Sequence, residues 1–214
     1  MSTLEAQLVR RRKLLAAARA VAPRVARNGR ALPPVFFLTD PQRTPDPVAI
    51  AARLAPGWGV VYRHFGSRDR REIARRLATV CRRRRLVLLI AADPELAWRT
   101  GADGVHWPAA RLKHVRPRRP NWIESASAHS RRDLVKAKGA GVDLVFLSTV
   151  FSSNSPSAGA AIGPLRFRRL ATGDRLPAYA LGGVNAESVA TIRPHAFAAI
   201  EGLSAVWAPA GRQD

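Results

Sequence analysis

Cysteine occurs once in this chain, at Cys81. An internal disulfide and a cysteine-built zinc cage are therefore both excluded. Carboxylates are scarce: Asp and Glu total 15 against 36 Lys and Arg, a formal net charge of +21. Lysine itself is nearly missing. It occurs only at Lys13, Lys113, Lys136 and Lys138, and the other 32 basic residues are arginine. Two readings of that excess stand side by side: a coding bias toward arginine, or attraction to phosphates and other anions through a strong positive field. Long apolar runs are absent too. Leu14–Ala22 is the most apolar part of the N-terminal region, and Arg19 interrupts it. A membrane-spanning helix needs about 20 apolar residues and a secretory signal needs a longer clean stretch, so the expected compartment is the cytoplasm. Zinc-finger spacing and aromatic-rich ribonucleoprotein motifs are also missing.

What is present is an ordinary globular composition. The 214 residues are 47% hydrophobic and 24% charged, enough for one large domain or two small ones with a full core. Leu4–Arg27 reads as an amphipathic lead-in helix, closed by the Asn28-Gly29 break. Short apolar runs then alternate with charged, helix-like segments. The runs are Val35–Leu38, Gly59–Tyr62, Leu86–Ile90, Gly104–His106, Trp122–Ser127, Leu144–Leu147, Ala178–Leu181 and Ala198–Ile200. Between them lie segments such as Pro47–Leu54, Asp69–Arg83, Pro94–Thr100, Arg131–Gly139, Leu165–Ala171 and Ala186–Arg193. Continuous apolar strands are buried on both faces, which favours a parallel sheet built from βαβ units. Eight such steps predict an α/β (β/α)₈ barrel with an extra N-terminal helix. The expected division is residues 1–30 as lead-in, 31–208 as barrel and 209–214 as a tail. An open doubly wound sheet would need a glycine-rich loop after the first strand, and Thr39-Asp40-Pro41-Gln42-Arg43 has no glycine.

Barrel chemistry sits at the carboxyl ends of the strands. There the sequence places Thr39-Asp40, Arg63-His64-Phe65, Ala91-Ala92-Asp93, His106-Trp107, Ser127-Ala128-His129-Ser130 and Ser148-Thr149-Val150-Phe151. The last two strand ends carry Gly182-Gly183 and Glu201-Gly202-Leu203-Ser204. Glycines allow backbone N–H groups to approach an oxyanion closely, so Gly182, Gly183, Gly202, Leu203 and Ser204 form a candidate phosphate cup. The plainer reading of Gly182-Gly183 is a tight turn.

In combination, these segments resemble the thiamine-phosphate synthase and TenI family from about Phe37 to Val206. The resemblance rests on Leu38-Thr39-Asp40, Arg63, Gly101-Ala102-Asp103-Gly104-Val105-His106 and Ser127-Ala128-His129-Ser130. It continues through Val150-Phe151, Ala180-Leu181-Gly182-Gly183-Val184-Asn185 and Ser204-Ala205. It implies a barrel, often a homodimer, of thiamine biosynthesis. The synthases join hydroxymethylpyrimidine diphosphate to a thiazole phosphate: diphosphate departs, and the thiazole nitrogen attacks the pyrimidine carbocation. Mg²⁺ and basic residues stabilise the leaving group. TenI-type members isomerise a thiazole carboxylate phosphate with a histidine. By this resemblance Arg63 and Ser127 are the catalytic candidates. Arg63 faces the diphosphate, Gly182, Gly183 and Ser204 grip the thiazole phosphate, and Ser153 and Ser155 keep hydroxyls where the family has threonines.

Other family positions differ. The glutamine before Arg63 is Val61 and the lysine after it is Phe65. The Asn-Asp pair, whose aspartate holds Mg²⁺, reads Ala91-Ala92, with Asp93 shifted by one. A second metal carboxylate falls at Arg111, a phosphate-binding lysine at Pro156, and the TenI histidine at Thr149. No metal ligand is therefore assigned. Mg²⁺ prefers carboxylate and phosphate oxygens, so Arg63 and Arg111 are expected to neutralise an anion directly.

Further candidates have plainer readings beside them. His129 is a general base or a capping histidine, and His106 is mainly structural. His64 points away from the barrel if Arg63 points in. Asp40 orients neighbours or caps a turn, and Glu201 opposes an anion unless an arginine pairs with it. Cys81 is buried packing. Ser152–Gly159 reads as a lid over the mouth. Three functions follow in order: a thiamine-pathway barrel binding a thiazole phosphate, a non-catalytic phosphate-ester sensor, and, least favoured, a nucleic-acid-associated protein. No membrane partner is expected.

Overall fold

Eight apolar runs fold into eight parallel strands, β1 Val35–Leu38, β2 Gly59–Tyr62, β3 Val87–Ala91, β4 Gly104–Trp107, β5 Ile123–Ala128, β6 Leu144–Leu147, β7 Ala178–Ala180 and β8 Phe197–Ala199. They pair in sequence order, and β8 pairs back to β1 through Phe37↔Ala199, so the barrel is closed. The computed structural model describes residues 3–114, 119–153, 155, 159–172 and 176–207. The expected tail, 209–214, lies outside them.

Alternation along each strand sorts side chains into two cores. Phe36, Leu38, Val61, Leu89, Ala91, Ile123, Leu144, Phe146, Tyr179 and Ala198 point inward. Phe36, Phe146 and Tyr179 meet edge to face, with centroids 5.2–5.7 Å apart. Such rings contribute about 2–3 kcal/mol each over exposure, with a further increment for the T-shaped geometry. The outward set (Phe37, Val60, Tyr62, Leu88, Ile90, Val105, Ala126, Val145) packs under the surrounding helices. Those are α2 Pro47–Ala51, α3 Arg70–Arg84, α4 Pro94–Thr100, α5 Arg131–Ala140, α6 Gly163–Thr172 and α7 Glu201–Trp207. Asp46, Asp93 and Ser130 cap α2, α4 and α5 by accepting backbone N–H bonds. Cys81 is buried in this layer, and burial pushes its thiol up to about 12, consistent with packing.

Two expectations are corrected. The lead-in helix, α1 Thr3–Arg19, stops eight residues before Arg27. Pro23 cannot supply the N–H that continuation requires. Ala186–Arg193 is only a short 3₁₀ turn, Val189–Ile192, because Asn185 holds the N–H groups of Glu187 and Ser188 and Pro194 follows. Apart from these, the connection between β4 and β5 is a single 3₁₀ segment, Ala109–His114.

The lead-in is part of the barrel and not an appendage. Leu14, Ala17 and Ala18 are buried, Gln7 donates to the Val206 carbonyl at 3.1 Å, and Arg10 pairs with Glu187 at 3.1 Å. After α1, Ala26 and Leu32 join the inner core at the amino end of the strands. Arg27 and Arg30 pair with Asp143 and Asp103 there, and Tyr179 donates its hydroxyl to the Pro33 carbonyl at 2.7 Å. One end of the barrel is therefore plugged.

Candidate active site

At the opposite, carboxyl end lies a cavity of about 220 Å³. It is bordered by Gly182, Gly183, Glu201, Gly202, Ser152, Ser153 and Arg43. Gly182 and Gly183 have φ of +90° and +63°, a region that side chains strain to enter. A Cβ on Gly183 would strike the Ser152 carbonyl, and one on Gly202 would strike the Val184 carbonyl. The turns after β6, β7 and β8 are therefore in backbone contact. Ser188 stiffens the middle turn by donating its hydroxyl to the Gly183 carbonyl at 3.1 Å.

The proposed cup is partly revised. Leu203 turns its side chain into the core. Ser204 donates its hydroxyl to the Glu201 carbonyl, and its N–H already bonds the Ile200 carbonyl in α7. Neither lines the cavity. The N–H groups of Glu201, Gly202 and Leu203 precede that first helical bond and have no partner within the helix. Ser153 borders the cavity, while Ser155 sits beside it and accepts a long 3.5 Å bond from Arg43. Pro156 and much of the expected lid fall outside the described residues.

Arg63 points inward at the end of β2 and donates through Nε to the Thr39 carbonyl at 3.1 Å. Its Nη2 stands 3.6 Å from Asp40, and its side chain is 24% exposed. Burial works against the Arg63 charge, and Asp40 works for it. His64 points outward, buried against Tyr62 with ring centroids 5.0 Å apart, and burial lowers its pKa. That placement removes it from the mouth.

His106 and Ser127 form an inward pair. His106 contacts the Ser125 hydroxyl through Nδ1 at 3.0 Å and the Ser127 hydroxyl through Nε2 at 3.1 Å. Burial, with a smaller push from the Arg63 charge, holds His106 near pKa 3. It is neutral at physiological pH, one nitrogen donating and the other accepting, and it fixes the Ser127 hydroxyl. His129 leans on the carbonyl and hydroxyl of Ser148 at 3.2 and 3.1 Å, while its own N–H bonds the Asp133 carboxylate.

Sequence reasoning missed Arg43. Asp40 accepts the N–H groups of Gln42 and Arg43, and Thr44 donates to the Asp40 carbonyl. This tight turn folds Arg43 back over the mouth. There Nη2 meets Asp40 at 2.8 Å and Nη1 approaches Glu201 at 3.8 Å. The available signal was an aspartate three residues before an arginine, with a threonine next, at the end of an apolar run.

The carboxylates around the mouth do not fit a Mg²⁺ site. Asp40 lies between Arg43 and Arg63, and Glu201 faces Arg43. Asp93 caps α4 through Leu96 and lies 3.8 Å from Arg70. Arg111 is exposed on the 3₁₀ turn after β4, and its charge would repel a cation placed nearby. Among the described residues, no three acidic, histidine or cysteine side chains converge as a metal cluster.

A closed parallel barrel, plugged at one end and carrying a glycine-walled cavity at the other, is the frame of a (β/α)₈ protein. A sequence profile described as thiamine monophosphate synthase matches residues 35–206. The chain belongs to that thiamine monophosphate synthase family. It is 28% identical to the thiamine-phosphate synthase of Bacillus velezensis over 194 residues, covering 84% of each chain. It is 29% identical to the thiamine-phosphate synthase of Geobacillus kaustophilus over 170 residues, 74% of this chain and 77% of that one. The solved thiamine phosphate pyrophosphorylase of Pyrococcus furiosus superposes with a TM-score of 0.65, covering 80% of this chain and 92% of that one. At 19% identity that match speaks for the fold alone.

Proposed function

We propose that this protein binds a thiazole phosphate in the glycine-walled cavity and presents it to a pyrimidine diphosphate held on the Arg63 side of the mouth. The observation that carries the reading is the cavity itself: three turns in backbone contact, lined by Gly182, Gly183 and Gly202, with a cation at the rim. Backbone N–H groups in such a concavity favour an oxyanion. In the proposed reaction, the carbon–oxygen bond to diphosphate breaks and its electron pair leaves with the diphosphate. The thiazole nitrogen then supplies the pair for the new carbon–nitrogen bond. Arg63 neutralises the departing charge, and Ser127, held by His106, hydrogen-bonds the pyrimidine diphosphate. No step is assigned to a metal ion.

Calorimetry with thiazole phosphate tests the binding half. An assay for thiamine phosphate formation, with and without Mg²⁺, tests the chemistry. Binding at micromolar strength with product formation supports the reading. Absence of binding rejects it. The engagement of Asp40, Asp93 and Glu201 by arginines favours one second reading, a phosphate-ester sensor that binds without turnover. Tight binding with no release of diphosphate selects that one. The setting we assign is the cytoplasm, and no helix among the described residues is long and apolar enough to cross a membrane.

A further inference from the structure

Arg43 combines three features that its turn alone does not require. Its side chain is only 16% exposed, it borders the glycine-walled cavity, and its two terminal nitrogens face two different carboxylates. The two contacts are unequal. Nη2 is hydrogen-bonded to Asp40 at 2.8 Å, and that carboxylate is itself 19% exposed. Nη1 stands 3.8 Å from Glu201, beyond hydrogen-bond length, and the Glu201 side chain is 51% exposed. Glu201 and Arg43 border the same cavity as Gly182, Gly183 and Gly202. A carboxylate at that rim opposes any anion entering the cavity, unless the arginine between them changes partner.

We infer that Arg43 is the cation that recognises the phosphate group, and that Glu201 is the internal anion the phosphate displaces. This rests on the phosphate reading of the cavity. Asp40 keeps one edge of the guanidinium fixed, so the planar group is preorganised. Its free edge exchanges Glu201 for two phosphate oxygens in the bidentate geometry that arginine favours. The displaced Glu201 moves into solvent, where its charge is hydrated. The ligand class this selects is a phosphate monoester dianion. The corresponding alcohol gains nothing from the exchange and leaves the Arg43–Glu201 contact in place.

Because Glu201 competes for Arg43, the two residues have opposite effects on binding. Calorimetry on the full chain, with thiazole phosphate, its dephosphorylated alcohol and inorganic phosphate as probes, reads them. Arg43→Gln weakens thiazole phosphate binding about tenfold to a hundredfold, the range of a charge-assisted bond. Arg43→Lys recovers part of it, because lysine supplies charge without the fork. Glu201→Gln tightens thiazole phosphate and inorganic phosphate about threefold or more and leaves the alcohol unchanged. Melting temperatures confirm that each variant is folded. If the unmodified protein binds and Arg43→Gln binds equally well, this assignment fails while the cavity reading stands. Weaker phosphate binding by Glu201→Gln removes the displacement. If the unmodified protein binds neither phosphate probe, the cavity reading falls and this inference with it.

Discussion

The two halves of the barrel mouth are built on different principles. On the β6–β8 side the cavity wall is backbone: Gly183 and Gly202 stand where neighbouring carbonyls leave no room for a Cβ, and Gly182 packs against Thr149. On the β1–β5 side the wall is side chains: Asp40, Arg63, His106 and Ser127, each held by a neighbour. A backbone wall tolerates almost no substitution, because any added atom collides with the main chain. A side-chain wall can exchange one charge for another while its strands stay in register. The family resemblance touches both halves. Gly182 and Gly183 match on the backbone side, although Pro156 and Thr149 replace family side chains there; on the other side Arg63 and Ser127 match, while Ala92 and Arg111 stand where carboxylates are expected.

The largest expected effect tests the backbone half. Gly183→Val places a branched side chain at φ +63°, against the Ser152 carbonyl. Strain plus displacement of the β6 turn costs about 3 kcal/mol or more of stability, read by urea unfolding, and thiazole phosphate binding disappears. Normal stability and normal binding in this variant would erase the contrast between the halves.

A smaller effect tests whether the other half works through charge. Arg63→Gln keeps a polar side chain at the end of β2 but removes the cation beside Asp40. Inorganic diphosphate binding falls about tenfold to a hundredfold, while thiazole phosphate binding changes little. Titration with Mg²⁺ or EDTA leaves diphosphate affinity within about twofold if arginine, and not a metal, supplies the positive charge. Strict Mg²⁺ dependence would reverse that assignment.

His106 gives the same half a pH signature. Its pKa is pushed down from 6.5 to about 3, chiefly by burial. Between those values the unfolded chain binds a proton that the folded chain refuses. Stability therefore declines as pH falls from about 6.5 toward 3, with a slope of up to about 1.4 kcal/mol per pH unit from this one site. His106→Asn removes that contribution. Unfolding at a series of pH values measures it, and a profile with the unmodified slope in the variant would place the titration elsewhere.

The same division explains what the sequence made legible. All eight strands match the apolar runs to within one residue at either end, because a doubly buried strand must be apolar throughout. Gly182 and Gly183 were readable because a positive φ needs glycine. Arg63 was readable from the family resemblance, and strand alternation then turned His64 away from the mouth. Arg43 was not, because its place depends on how Asp40 folds a turn across the mouth, and its partner Glu201 is 158 positions away. Ser204 was misjudged for a related reason. It follows the right glycine, but the first turn of α7 directs both its N–H and its hydroxyl to neighbouring backbone carbonyls.

Asp40 joins the two halves, and its removal is the smallest and most discriminating of these effects. Burial raises its pKa, but the Arg43 hydrogen bond and charge, with the N–H of Gln42, outweigh that and hold the carboxyl near 2. A depressed carboxylate contributes stability above its unfolded value of about 3.8 and loses it as pH falls through about 2. Asp40→Asn retains an oxygen for the turn and removes only the charge, so about 1–2 kcal/mol is lost at pH 7. The deficit relative to the unmodified protein shrinks between pH 4 and 2. With the carboxylate gone, Arg43 and Arg63 face each other without a shared anion, and both lose the anchor that holds their guanidinium groups in place. Binding of thiazole phosphate and of diphosphate then shifts together. If only one ligand responds, the halves are electrostatically separate, and Asp40 serves one arginine alone.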